Sequence, residues 1–127
     1  MYPLNEWGQL RKVIVGITDY ASIPEMDISL RTVNYAGNST VKNVKSGPYP
    51  QQVINESNED LEKFCKLLVD EGIEVLRPTS DPVDYYNYCP RDIVFAHKDL
   101  ALATPMPLKS RFNNYRYIQH HFDDLKV

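Results

Sequence analysis

Long apolar runs, an excess of positive charge and a set of paired cysteines are all lacking in this sequence, and each absence closes off a class of function. No apolar stretch approaches the roughly 20 residues needed to cross a bilayer. The opening MYPLNEWGQL has no charged-then-apolar leader pattern. Lysine and arginine number 14 against 17 acidic residues, a formal net charge of -3. A nucleic-acid partner or a polybasic membrane patch is therefore not expected, and the expectation is a soluble, cytoplasmic protein. Cys65 and Cys89 are the two cysteines. They cannot build the disulfide framework of a secreted mini-domain, and neither has a histidine or a second cysteine at metal-ligand spacing. No metal and no cofactor is expected. No internal repeat is visible.

What is present suits one globular domain spanning residues 1–127. The chain is long enough for a hydrophobic core, with 24% charged and 43% hydrophobic residues. The nine tyrosines and nine prolines gather between the apolar segments, indicating a loop-rich surface. LRKVIVGI, from Leu10 to Ile17, carries four β-branched residues and reads as a strand buried on both faces. Asn5-Glu6-Trp7-Gly8 before it reads as a turn, with Gly8 available for a positive φ.

Residues 18–52 show no sustained period and are broken by Pro24, Gly37, Gly47, Pro48 and Pro50. So long an irregular excursion is uncommon in a compact domain: a floppy connection and a flap over a site are both open, with Asn34-Tyr35 and Tyr49 as candidate anchors. From Val53 to Glu71 an apolar stripe of Val53, Leu61, Phe64, Cys65, Leu67, Leu68 and Val69 predicts an amphipathic helix. Early acidic residues suit its positive end, and Gly72 is a natural stop. The strand Ile73–Leu76 follows, closed by Arg77-Pro78. Strand, helix and strand in this order point to an α/β layer arrangement.

The richest stretch runs from Cys89 to Arg116. It reads as a hairpin of Asp92–His97 and Leu100–Thr104 turning at Lys98-Asp99, ended by Pro105 and Pro107. A helix capped by Ser110 is then expected to run to about Phe122, with Phe112, Tyr115, Ile118 and Phe122 as its stripe. Pro90-Arg91-Asp92 sets a carboxylate at a strand start. Asp92 can contact a ligand, cap the strand, or pair with Arg91, Arg111 or Arg116.

Four segments, in order, resemble the N-terminal part of an amidinotransferase of the glycine and inosamine-phosphate type. They are Asn5-Glu6-Trp7 leading into VIVG (Val13 to Gly16), LLVDEGIEVLRP (Leu67 to Pro78), Pro90-Arg91-Asp92, and PMPLKSRFNNYR (Pro105 to Arg116). That family belongs to the guanidino-group-modifying, or pentein, superfamily. The resemblance implies an α/β propeller of five ββαβ units, of which this chain would hold about one unit and part of a second. It implies chemistry at a guanidinium carbon, in which a cysteine thiolate takes the amidino group of arginine and an acceptor amine then receives it. A thiolate is needed because a thiol is a poor nucleophile. A carboxylate suits the planar cation because it accepts paired N–H donors.

Carried over residue by residue, Asp92 is similar to a guanidinium-contacting position, with Arg91 a second candidate. Arg111 and Arg116 match positions that look structural, and Asn114 stands where the family usually has glutamate. The family's second carboxylate motif, its histidine motif and its late cysteine find no match in these residues; Cys89, His97, His120 and His121 match none of them. Partial arginine or guanidino binding without amidino transfer is the resulting expectation. A non-catalytic assembly module and one part of a split enzyme are the alternatives. Cut strand edges and an apolar face would favour a homo-oligomer, or a second chain supplying the missing units.

Overall fold

The computed structural model describes residues 7–37, 44–82, 85–97 and 100–122. Its centre is a parallel pair, β1 (Lys12–Ile14) beside β4 (Glu74–Leu76), in the register Val13 opposite Val75. Val15 extends the pairing by donating its N–H to the Leu76 carbonyl at 2.9 Å. The regular strand is shorter than the Leu10–Ile17 expectation, and Leu10 is exposed. The reason lies at Gly16 and Ile17, where β1 leaves its partner and meets the 86–89 loop. Ile17 donates to the Asn87 carbonyl at 3.2 Å. A Cβ placed on Gly16 would lie 2.5 Å from the Tyr88 carbonyl oxygen, so only glycine lets the two backbones approach this closely.

Between these strands comes α2 (Gln51–Asp70), which buries Ile54 and Cys65. Its apolar stripe is only partly covered, since Val53, Phe64, Leu67 and Val69 remain exposed. The first turn carries no acidic residue, contrary to the expected pattern. Extended Pro50 precedes it without a side-chain cap, and Pro just before a helix supplies the entry geometry. Gly72, at φ 77°, ends the helix as expected; Gly8 is not among the positive-φ glycines, which are Gly37, Gly47 and Gly72.

The excursion is more ordered than its composition suggests. It contains β2 (Ser22–Ile23), α1 (Ile28–Val33) and β3 (Gly47–Pro48), with β2 and β3 antiparallel. Asp27 caps α1 by accepting from the Leu30 N–H at 2.8 Å and the Ser29 hydroxyl at 2.6 Å. Those bonds, the Ser29 hydroxyl first, hold the Asp27 carboxyl below its usual range. Leu30 is buried, Tyr49 donates its N–H to the Ala21 carbonyl at 3.1 Å, and the Ser29 hydroxyl accepts from the Lys109 N–H at 3.0 Å. Of the two candidate anchors, Tyr49 is therefore tied by its backbone.

β5 (Val94–His97) and β6 (Leu100–Ala103) form the expected antiparallel hairpin; its turn at Lys98-Asp99 lies outside the described residues. The strand does not begin at Asp92. Pro90-Arg91-Asp92 is instead a 3₁₀ turn, for which the fixed φ and missing N–H of Pro90 are suited. The α-helix expected from Ser110 to Phe122 is also absent. Three 3₁₀ turns replace it, at Lys109–Arg111, Asn114–Tyr117 and Gln119–His121, and none has a side-chain cap. Leu108, Arg111, Asn114 and Tyr117 are all buried, a spacing of three that matches the 3₁₀ repeat. Paired Asn113-Asn114 and neighbouring aromatics are poor helix formers, so local propensity does not oppose this. Phe112, from the expected stripe, points to solvent at 62% exposure while Ile118 is fully buried.

Candidate guanidino-type site around Asp92

The 3₁₀ turn at Pro90–Asp92 and the first turn after Leu108 bring Asp92 and Arg111 together. Arg111 Nη1 lies 2.8 Å from Asp92 Oδ2, and Arg111 Nη2 donates to the Cys89 carbonyl at 3.0 Å. The guanidinium carbon also sits 5.4 Å from the centre of the Tyr86 ring. The Arg111 side chain is 8% exposed and that of Asp92 47%. A cation is thus held inside the protein, with its counter-charge facing outward.

The backbone around Asp92 is equally tied. The Thr104 hydroxyl donates to the Asp92 carbonyl at 2.6 Å, and the Thr104 N–H donates to the Ile93 carbonyl at 2.8 Å. Among the described residues, Oδ1 of Asp92 has no protein donor. The carboxylate can therefore accept from a ligand N–H through one oxygen while Arg111 fixes the other. A two-pronged grip on a ligand guanidinium would require Arg111 to release it.

The other sequence candidates fall into two groups. Arg91 is exposed, and its side chain makes no ion pair or hydrogen bond among the described residues. Arg116 is a structural tie: it lies 3.2 Å from Asp81, donates to the Tyr117 hydroxyl at 2.6 Å, and its guanidinium carbon sits 4.7 Å from the centre of the Tyr117 ring. His97 ends β5 at the surface. His121 Nε2 bonds the Arg77 carbonyl at 2.8 Å, and its ring lies 3.8 Å from that of His120. Cys65 is buried as expected, but a cation reaches it, since Arg77 Nη1 lies 2.7 Å from its sulfur.

Cys89 is half-buried beside this group. Burial pushes its thiol up, Arg111 opposes that, and Asp92 adds to it. Among the described residues no histidine hydrogen-bonds Cys89. This is the environment of a protonated thiol, not of an activated nucleophile. Burial likewise raises Tyr86 and Tyr88. Sequence reading missed Asn87, and it marked Asn114 only as a departure from the family's glutamate without expecting its burial; both are 2% exposed, and the period of three through Leu108, Arg111, Asn114 and Tyr117 was the available signal for Asn114.

No family model matches the chain. Curated relatives do. Inosamine-phosphate amidinotransferase 1 of Streptomyces griseus is 35% identical over an alignment of 123 residues, covering 85% of this chain and 35% of the relative. Among solved structures, the inosamine-phosphate amidinotransferase StrB1 of the same organism superposes with a TM-score of 0.90 at 30% identity, over 97% of this chain and 39% of that one. The chain is an amidinotransferase homologue.

The mitochondrial glycine amidinotransferase of Danio rerio is 28% identical over an alignment of 127 residues. The amidinotransferase SxtG of Microseira wollei, at 23% identity and a TM-score of 0.80, supports the fold alone. The homologue spans about a third of the length of the curated relatives it matches. Its α/β architecture is the amidinotransferase fold over that part.

Proposed function

We infer that this chain contributes one wall of a guanidinium-binding site in an amidinotransferase-type protein. The observation that carries the reading is the Asp92 carboxylate, half-exposed and held at 2.8 Å by a buried arginine. A carboxylate so oriented keeps one oxygen for a ligand cation without having to be ordered first. In this reading β1, α2 and β4 belong to one ββαβ unit of a propeller, and the β5–β6 hairpin opens the next. The described residues hold no activated thiol next to a histidine, so the 127-residue polypeptide by itself binds arginine weakly and does not transfer its amidino group. The setting is cytoplasmic.

A second reading, an assembly module, draws on one specific feature. Phe95 and Leu102 face each other across the hairpin, 58% and 47% exposed, and Leu100 lies beside them. Such a surface pairs with a further copy or with a chain carrying more units.

Calorimetric titration with arginine separates the two. Saturable heat that is lost in Asp92→Asn, with no ornithine released by either protein, supports the guanidinium site. No heat for the parent chain leaves the assembly role standing in its place. Ornithine release that persists in Cys89→Ala but not in Asp92→Asn would show turnover by this polypeptide and refute its inactivity.

A further inference from the structure

A polar cleft lies where β1 and β4 end, apart from the group around Asp92. Parallel strands joined through a helix leave a crevice at their carboxyl ends, and α/β proteins commonly bind ligands there. Here the crevice measures about 500 Å³. Asp19 forms one side on the segment leaving β1, Asn58 and Glu62 come from one face of α2, and Arg77, Thr79 and Ser80 follow β4. It shares no lining residue with the Asp92, Arg111 and Cys89 cluster.

Its charged groups are held in place by the protein. The Asn58 amide donates to Asp19 Oδ1 at 2.7 Å, while its Oδ1 accepts from the Thr18 N–H at 3.0 Å and the Thr18 hydroxyl at 2.7 Å. Glu62 Oε1 lies 2.9 Å from Arg77 Nη1, and Arg77 is further fixed by the Cys65 sulfur. Each carboxylate therefore has one oxygen bound by the protein. Among the described residues the second oxygen of each, Asp19 Oδ2 and Glu62 Oε2, meets no donor. Two carboxylates against one guanidinium leave the walls net negative by one. Fixed acceptors with a residual negative charge recognise a cation that carries several N–H donors.

We propose that the cleft between Asp19, Asn58, Glu62 and Arg77 binds a small organic amine in its ammonium form. The site stands independently of the guanidinium reading for Asp92, and its failure leaves that reading untouched.

The test is an ¹H–¹⁵N NMR titration of the full chain with 1,4-diaminobutane, and in parallel with the neutral 1,4-butanediol, both in physiological salt. Saturable shifts are expected at the amides of Thr18, Asn58 and Ser80 with the diamine only. Asp19→Asn and Glu62→Gln, which keep the internal hydrogen-bond acceptors, each weaken the diamine about two- to fivefold, the size of one partly exposed ion pair. Glu59→Gln, which removes an equal charge from α2 outside the cleft, leaves binding unchanged. Equal shifts with the diol overturn the proposal, as does a Glu59→Gln effect matching that of Asp19→Asn. Undiminished binding when Asp19→Asn and Glu62→Gln are combined in a well-dispersed spectrum overturns it too.

Discussion

Removing the charge of Asp92 should cost far more than its exposure suggests, because its partner is the buried member of the pair. In Asp92→Asn the Arg111 guanidinium stays at 8% exposure, keeping its bond to the Cys89 carbonyl and the face of Tyr86. Breaking a fully buried pair from one side costs about 3–5 kcal/mol. Water reaches Asp92, at 47% exposure, and screens part of that loss. A cost of about 2 kcal/mol follows for Asp92→Asn. Arg111→Met removes the buried charge at similar volume and leaves a carboxylate that water can solvate. Its cost is the unpaired Cys89 carbonyl, about 1 kcal/mol. The order is therefore inverted relative to burial: the exposed partner is the more damaging one to neutralise. Urea unfolding of both variants and of the double variant measures it, and a cost of about 2 kcal/mol corresponds to a Tm lowered by roughly 6–10 °C for a chain of this size. Arg111→Met costing more than Asp92→Asn, or Asp92→Asn falling within about 0.5 kcal/mol of the parent, would refute the reasoning.

Gly16→Ala should destabilise by about 1–3 kcal/mol, since the new methyl meets the Tyr88 backbone and not a flexible side chain; an unchanged urea midpoint counts against that close approach. The thiol of Cys89 should alkylate with a pH–rate midpoint above that of free cysteine, because burial raises its pKa and the reactive thiolate forms only at higher pH. Peptide mapping after iodoacetamide at a series of pH values reads this, and a midpoint below that of free cysteine would contradict it. Self-association at tens of micromolar is expected from the exposed face of the hairpin, weakened by Phe95→Ser and Leu102→Ser. A monomer by light scattering throughout that range removes the basis for it.

The parallel core was legible because its signals are strong and local. β-branched residues in Val13-Ile14-Val15, a long amphipathic run and Gly72 as a stop all agree with one another. The excursion was not legible, for the opposite reason. Its elements are two to six residues long, and they are stabilised by what they touch: Asp27 on α1, Ala21 on Tyr49, Ser29 on Lys109. No periodicity can develop over so few residues. The segment is anchored at Thr18, at Tyr49 and through its short helix.

The region after Pro107 shows how a period can mislead. Phe112, Tyr115, Ile118 and Phe122 fit an α-helical stripe, and Tyr115 and Phe122 do stack, at 6.4 Å between ring centres. The buried series is nevertheless Leu108, Arg111, Asn114 and Tyr117, in which two of the four members are polar. A hydrophobicity pattern discards such residues, since arginine and asparagine are rarely buried without partners. What makes Arg111 acceptable inside is Asp92, 19 residues earlier in the chain. The candidate site was thus visible as an aspartate of interest with Arg91, Arg111 and Arg116 as alternative partners, and the structure selects Arg111 among them. The same pairing restricts what Asp92 can do. An aspartate already holding one guanidinium by Oδ2 can offer a second cation only Oδ1, so full engagement of a ligand and retention of Arg111 compete for the same carboxylate. If that competition operates, saturating arginine should loosen Arg111, and its Nε–H should exchange faster with solvent in the complex than in the free chain. Slower exchange on arginine binding would mean that Asp92 serves both cations at once, one oxygen each.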